Sequence, residues 1–172
     1  MIRRRDGTRA HFPAVLDNVP RHIVARKVLE RFEPANALEL LGRGVGVEEL
    51  ASELVRDRAF FAQSGGGVTL SGGEPTLQAG FAARLLESLR AQGISTALDT
   101  CGLCSTQALD RLLPGVDVVL YDIKLMDPAS HARFTGQSNE VILENLLWIG
   151  DYLRRRAPEK VLWARTPLIP GA

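Results

Sequence analysis

The stretch Gly65-Gly66-Gly67-Val68-Thr69-Leu70-Ser71-Gly72-Gly73-Glu74-Pro75 decides how the chain reads. A short β-prone run, Val68-Thr69-Leu70, lies between two glycine clusters, and a helical period begins near Gln78. This is the pattern of strand, tight turn and helix. In an α/β fold such a turn stands at the carboxyl end of a parallel strand, where these folds build their sites. Glycines there let backbone atoms approach a ligand more closely than any Cβ allows. Glu74 adds one carboxylate at the same edge, which suits a cationic group such as an ammonium. No Lys-Ser or Lys-Thr follows the glycines, so the turn is not a phosphate loop. By itself, the same Gly-Gly-Glu-Pro sequence also serves as an ordinary turn.

Outward from this stretch the same rhythm repeats. Strand-like runs at 68–71, 94–99, 116–121 and 161–165 are apolar along their length, as a covered parallel sheet requires. Helical patterns follow the first three: around Phe81, Leu85, Leu86 and Leu89; from about Thr106 to Leu113; and, after a polar loop, from about Asn139 to Arg154. Strands alternating with helices predict a parallel sheet with helical crossovers. Upstream, Val47, Leu50, Leu54 and Phe61 fall at helical spacing, with Glu48, Glu49 and Glu53 early and Arg56 and Arg58 late, in the order a helix dipole favours. Residues 21–32 read as a helix stopped by Pro34, and 35–41 as its weak continuation. Residues 1–19 show no sustained period and read as a solvated end. The predicted organisation is an irregular or helical segment over 1–46, followed by a partial, open parallel (β/α) barrel over 47–172.

Composition bounds the function. At 172 residues, 45% of them hydrophobic, the chain can bury one core. Basic and acidic residues number 21 and 20, so nothing calls for nucleic acid or an anionic membrane surface. No apolar run approaches the ~18 residues of a membrane span, and the basic start has no apolar stretch behind it. Two cysteines do not make a disulfide framework. The cytosol is the expected compartment.

The strand tips carry Ser71-Gly72-Gly73-Glu74, Asp99-Thr100, Asp122 with Lys124, and Arg165. Four consecutive strands ending in such groups predict one shared rim. Three carboxylates, two cations and small hydroxyls suit a zwitterionic ligand.

Five motifs carry a resemblance: Ser71-Gly72-Gly73-Glu74-Pro75, Leu98-Asp99-Thr100-Cys101-Gly102, Tyr121-Asp122-Ile123-Lys124, Phe134-Thr135-Gly136-Gln137-Ser138-Asn139, and Arg165-Thr166-Pro167-Leu168-Ile169-Pro170-Gly171. In this order and spacing, from about Val47 to Gly171, the chain resembles the activating enzymes of glycyl radical enzymes. These are radical S-adenosylmethionine (SAM) proteins of the pyruvate formate-lyase activating enzyme type. The resemblance implies a partial (β/α)6 barrel with SAM at its strand ends. It implies that Gly72, Gly73 and Glu74 hold the methionyl ammonium, and that Asp99, Thr100, Asp122, Lys124 and Arg165 line the rest of the SAM and peptide site. It also implies a [4Fe-4S] cluster, fed by a donor such as flavodoxin or ferredoxin, that reduces SAM to a 5′-deoxyadenosyl radical. That radical takes a hydrogen from a glycine of a partner enzyme similar to pyruvate formate-lyase.

The sequence also departs from that family. The Cys-x3-Cys-x2-Cys loop that binds the cluster is missing, and only Cys101 and Cys104 exist, fewer thiolates than a four-iron cluster takes. No metal site is expected from this chain's own residues. Residues 33–38 resemble the end of a ferredoxin-like insert, yet Ile23, Arg26, Leu29 and Glu33 stand where its cysteines would fall. Taken with the family's usual length, this predicts a chain cut at both ends and inactive alone. The alternative is a non-catalytic, cluster-less barrel that still binds SAM or a partner. Cys101 and Cys104 read as ordinary turn residues, and His11, His22 and His131 as surface.

Overall fold

A computed structural model of the chain describes residues 2–4, 38–40 and 44–167. By their contacts, the residues form two compact units, Met1–Val45 and Gly46–Ala172.

In the first unit, strands β1 (Ile2–Arg4) and β2 (Leu38–Leu40) pair antiparallel, Ile2 opposite Leu40 and Arg4 opposite Leu38. This corrects two sequence expectations: a patternless start, and a helical continuation through 35–41. Leu38-Glu39-Leu40 alternates at period two, the strand spacing, and three residues are too few for helical periodicity to override it. The helix expected over 21–32 lies outside the described residues.

The second unit is built as strand and helix in turn. It opens with α1 (Val47–Leu54), a 3-10 turn (Val55–Asp57) and α2 (Arg58–Ser64). The single helix expected from Val47 to Phe61 is therefore broken at Val55, yet Leu50, Leu54 and Phe61 still pack on one apolar cluster with Val68, Leu85, Leu89 and Ile94. Strand β3 (Gly67–Leu70) leads through a 3-10 turn (Pro75–Gln78) into α3 (Ala79–Ala91). Strand β4 (Ser95–Thr100) leads to α4 (Thr106–Leu112), and β5 (Val118–Asp122) to α5 (Pro128–Thr135) and α6 (Glu140–Arg156). Strand β6 (Val161–Arg165) closes the described order.

The four strands form one parallel sheet in chain order, β3-β4-β5-β6, as the sequence rhythm requires. Burial alternates at period two along β4 and β5. Val68, Thr96, Leu98, Thr100, Val119 and Tyr121 are buried on the helix side, where Leu86, Leu109, Leu112, Leu113, Ile142 and Ile149 complete the main core. The opposite face holds Ala97, Asp99, Val118, Leu120, Asp122 and, on β6, the exposed Val161 and Trp163. The sheet is thus covered on one side among the described residues, and its polar strand tips open onto the other.

Two features escaped the sequence reading. The polar loop after Lys124 contains α5, capped by Asp127, whose carboxylate accepts from the Ser130 amide at 2.7 Å, with Pro128 preset at the first helical position. And His131 is not a surface residue. It is 3% exposed, with Nδ1 2.6 Å from the Gln137 carbonyl and 3.0 Å from the Thr135 hydroxyl.

Candidate functional site

The turn after β3 is organised by the Glu74 side chain. Oε1 accepts from the Thr76 amide at 3.2 Å, the Thr76 hydroxyl at 2.8 Å and the Thr100 hydroxyl at 2.7 Å. Oε2 accepts from the Cys101 amide at 3.0 Å and the Cys101 thiol at 3.2 Å. Five donors for the four lone-pair sites of a carboxylate leave Glu74 saturated. It caps its own 3-10 turn and ties that turn to the tip of β4. Partial burial works to raise its pKa, but bonds from Thr100, the Cys101 amide and thiol, and Thr76 outweigh it and hold Glu74 below the usual glutamate range.

Beside it, Gly72 has φ of 112°, a conformation L side chains rarely adopt, and a Cβ built on Gly72 or Gly73 would meet nothing within 4 Å. Bare backbone therefore borders open space at the end of β3. The turn after β4 is tighter. Gly102 has φ of 70°, and a Cβ there would lie 1.6 Å from the Tyr121 hydroxyl oxygen, so only glycine fits. Tyr121 is fully buried and donates to the Ile142 carbonyl at 2.6 Å.

Across the other strand tips runs one connected polar chain. The Ser71 hydroxyl donates to Asp99 Oδ2 at 3.0 Å, and Asp99 Oδ1 accepts from Arg165 Nη2. The Arg165 guanidinium also binds Asp122 Oδ1, at 3.0 Å from Nε and 2.8 Å from Nη2. Asp122 Oδ2 in turn accepts from Lys124 at 2.7 Å. These groups come from the ends of four strands: β5 and β6 place Asp122 opposite Arg165, and β4 and β5 place Asp99 opposite Leu120, two residue pairs below. Slight desolvation works to raise the Asp122 pKa, and the Lys124 and Arg165 bonds overcome it, holding the carboxyl below its ordinary value. In this state the acids and bases of the rim neutralise one another, two against two. A ligand bearing both charges can exchange partners with them at little electrostatic cost.

All eight candidate residues read from the sequence lie at this one edge. They form two groups. Gly72, Gly73 and Glu74 form the turn after β3, tied through Glu74 to Thr100, which is buried at the end of β4, while Asp99, Asp122, Lys124 and Arg165 form the ionic chain. Ser71 joins the second group. Thr76, not singled out from the sequence, and Cys101, read there as an ordinary turn residue, supply four of the five donors to Glu74. The signal for Thr76 was available: a hydroxyl two residues past a potential capping acid.

An iron–sulfur cluster does not fit the cysteines present. The 172 residues hold two, Cys101 and Cys104. Partial burial first, then the negative charge of Glu74, keeps both thiols protonated above the usual cysteine range, and the Cys101 proton is committed to Glu74. Among the described residues no three His, Cys, Asp or Glu side chains gather as a metal site. A zwitterionic nucleoside such as SAM does fit: open backbone at Gly72 and Gly73, and a rim with carboxylates, hydroxyls and cations.

The sequence pattern of the radical SAM superfamily matches residues 38–172. The chain belongs to the radical SAM superfamily. Among similar proteins, this radical SAM chain is 38% identical over 138 residues to the (2S)-3-sulfopropanediol dehydratase activating enzyme of Klebsiella oxytoca, across 80% of this chain and 42% of that protein. It is 43% identical over 138 residues to the isethionate sulfite-lyase activating enzyme of Nitratidesulfovibrio vulgaris, across 80% and 44%. With pyruvate formate-lyase 2-activating enzyme of Escherichia coli (strain K12) it shares 41% over 139 residues, across 80% and 45%. The chain thus spans under half the length of these curated relatives. A crystal structure of a domain of pyruvate-formate lyase-activating enzyme from Bacteroides vulgatus superposes with a TM-score of 0.54 at 34% identity, over 62% of each chain. The resemblance read from the five motifs and the partial radical SAM barrel are both borne out. None of the described helices is long and apolar enough to cross a membrane.

Proposed function

We propose that this chain is part of a glycyl-radical-enzyme activating enzyme and that the rim of β3–β6 is its SAM site. The observation that carries the reading is the convergence of Ser71, Asp99, Arg165, Asp122 and Lys124 into one hydrogen-bonded chain beside the open backbone of Gly72-Gly73. SAM, when bound and reduced, supplies the group that abstracts hydrogen. This chain's residues do the binding. The Gly72-Gly73 backbone and the negative charge of Glu74 receive the ammonium, with Glu74 itself occupied in shaping the turn. Asp99 and Asp122 face hydroxyls, Lys124 or Arg165 answers the carboxylate, and the buried Thr100 serves the site by bonding Glu74. The proposed partner of the whole protein is a glycyl radical enzyme similar to pyruvate formate-lyase. The proposed electron donor is a flavodoxin or ferredoxin, and the proposed compartment the cytosol. The proposed organisation is a segment over 1–46 and a partial barrel over 47–172.

The two protonated cysteines favour a second reading for these 172 residues by themselves: a scaffold that binds SAM without cleaving it. With a charge-assisted contact contributing roughly 1.5–3 kcal/mol, two or three such contacts less ordering costs give affinity nearer millimolar than micromolar. Titration calorimetry with SAM checks this. Glu74→Ala is expected to weaken binding and Cys104→Ser to leave it unchanged, and equal binding by wild type and Glu74→Ala would reduce the motif to a turn. The chain with dithionite, after anaerobic reconstitution, is expected to give no 5′-deoxyadenosine above background.

A further inference from the structure

Helix α6 runs behind the candidate site, and its first two turns carry a pattern that hydrophobic packing does not explain. Asn139, the residue before its first turn, is fully buried, and Asn145 is 3% exposed. Each carboxamide does the same thing to a different loop. Asn139 Nδ2 donates to the carbonyls of Leu125 and Met126, at 2.8 and 2.9 Å, in the loop that follows β5 and carries Lys124. Asn145 Nδ2 donates to the carbonyls of Gly102 and Cys104, also at 2.8 and 2.9 Å, in the loop that follows β4 and carries Cys101. Between them, the Ile142 carbonyl accepts from the Tyr121 hydroxyl and ties down β5 itself. Positions 139, 142 and 145 recur every three residues, so all three groups lie along one side of the helix.

Stability alone would not select these residues. Asn145 interrupts the apolar stripe of Ile142, Ile149 and Leu153, where a leucine would bury more apolar surface. The Asn139 carboxamide has both hydrogens aimed at carbonyls, which fixes its orientation, and its Oδ1 is buried with no partner among the described residues. A buried oxygen left unbonded is unfavourable. What both residues gain is the shape of two loops that carry groups bonded to the candidate site: Cys101, whose amide and thiol reach Glu74, and Lys124, whose ammonium reaches Asp122.

We infer that Asn139 and Asn145 are positioning residues, which clamp the β5–α5 and β4–α4 loops to one helix and so hold the two halves of the rim in register. The inference rests on the reading of that rim as the binding site, but its first test needs no ligand. Side-chain carboxyl NMR on the 172-residue chain follows the titrations of Asp122 and Glu74. Asp122 is faced by Lys124 and Arg165, with Asp99 beyond the guanidinium; Glu74 is faced by Thr76, Thr100 and Cys101, with Cys104 nearby. In Asn139→Ala the midpoint of Asp122 is expected to rise to the value found in Lys124→Met, while Glu74 titrates as in wild type. In Asn145→Ala the Glu74 midpoint is expected to rise, the Cys101 amide to exchange about tenfold faster as its local structure opens, and Asp122 to stay unchanged. Should an alanine variant fail to fold, Asn139→Gln and Asn145→Gln carry the same test, since the carboxamide survives but is displaced by one methylene. Wild-type midpoints for both acids in folded variants, with only a lower Tm, would overturn the inference and leave the asparagines a purely structural part. Calorimetry with SAM then separates the two readings. Shifted midpoints with unchanged SAM binding would retain the clamps and discard the rim as the SAM site.

Discussion

Glu74→Gln is the substitution whose consequence the structure fixes most closely. The side chains are nearly isosteric, so packing changes little and the effect is one of hydrogen bonds. Gln offers one acceptor oxygen and one donor NH2 where Glu74 offers two acceptors. If the NH2 takes the place of Oε2, it faces the Cys101 amide, a donor; if it takes the place of Oε1, it faces the Thr76 amide, also a donor. The threonine hydroxyls can rotate to accept, but a backbone N–H cannot. Either orientation therefore strands one amide in a half-buried site. An unsatisfied donor costs about 1–3 kcal/mol, and losing charge assistance on the remaining bonds adds to it. Allowing for partial exposure, we expect about 2 kcal/mol of destabilisation at pH 7, which for a chain of this length lowers Tm by about 4–8 °C.

The pH dependence supplies the internal control. Glu74 has a lowered pKa in the folded state. Its contribution is complete above the unfolded value, near 4.3, and is lost as pH falls through the lower folded value. The gap between wild type and Glu74→Gln in urea melts is thus expected to be constant above about pH 5.5 and to narrow below about 4.3. A gap under about 0.5 kcal/mol at pH 7, or one as large at pH 3 as at pH 7, would refute the claim that a saturated carboxylate holds this turn.

Other outcomes follow from neighbouring features. Gly102→Ala combines a left-handed backbone with a collision against the Tyr121 ring and is expected to cost about 2–5 kcal/mol in urea melts. Tyr121→Phe removes the phenol's bond to the Ile142 carbonyl, which keeps its place in the helix ladder, and is expected to cost about 0.5–1.5 kcal/mol by the same assay. Burial first, then nearby Cys104, Cys101 and Glu74, pushes the Tyr121 phenol far above its ordinary pKa, so ultraviolet titration is expected to show it un-ionised until the chain unfolds. Arg165→Met removes the centre of the ionic chain, and the Asp122 midpoint is expected to move up on carboxyl NMR, since Arg165 is among the groups holding it down.

How far the sequence could be read depended on whether the signal was local. The four parallel strands were legible because each apolar run is bounded by glycine or charge and followed by a helical period. The eight rim residues were legible because a parallel sheet sends every strand's carboxyl end to one edge. What the sequence could not give was pairing across that edge. Nothing local shows that the Arg165 guanidinium reaches past β5 to Asp99, or that Glu74 turns inward to Cys101 and ceases to be a free carboxylate. The broken helix at Val55 and the short α5 were missed for the opposite reason: propensity over seven or eight residues is weak, and caps such as Asp127 decide it. His131 was misread because one histidine carries no periodicity, and its burial comes from the Thr135–Gln137 turn folding over it.

The order of the sheet has a consequence for how such a protein is made. Strand β4 pairs with β3, β5 with β4 and β6 with β5, so each strand joins an edge that the preceding segment has already formed. Within this sheet every strand after β3 finds its partner already synthesised. As the polypeptide leaves the ribosome amino end first, at about 5–20 residues per second, every new strand–helix unit meets a finished template with its hydrogen bonds exposed. The sheet can grow one unit at a time, and each clamp from α6 reaches back to a loop that has already emerged. The rim is therefore completed last, when β6 pairs with β5 and carries Arg165 between Asp99 and Asp122.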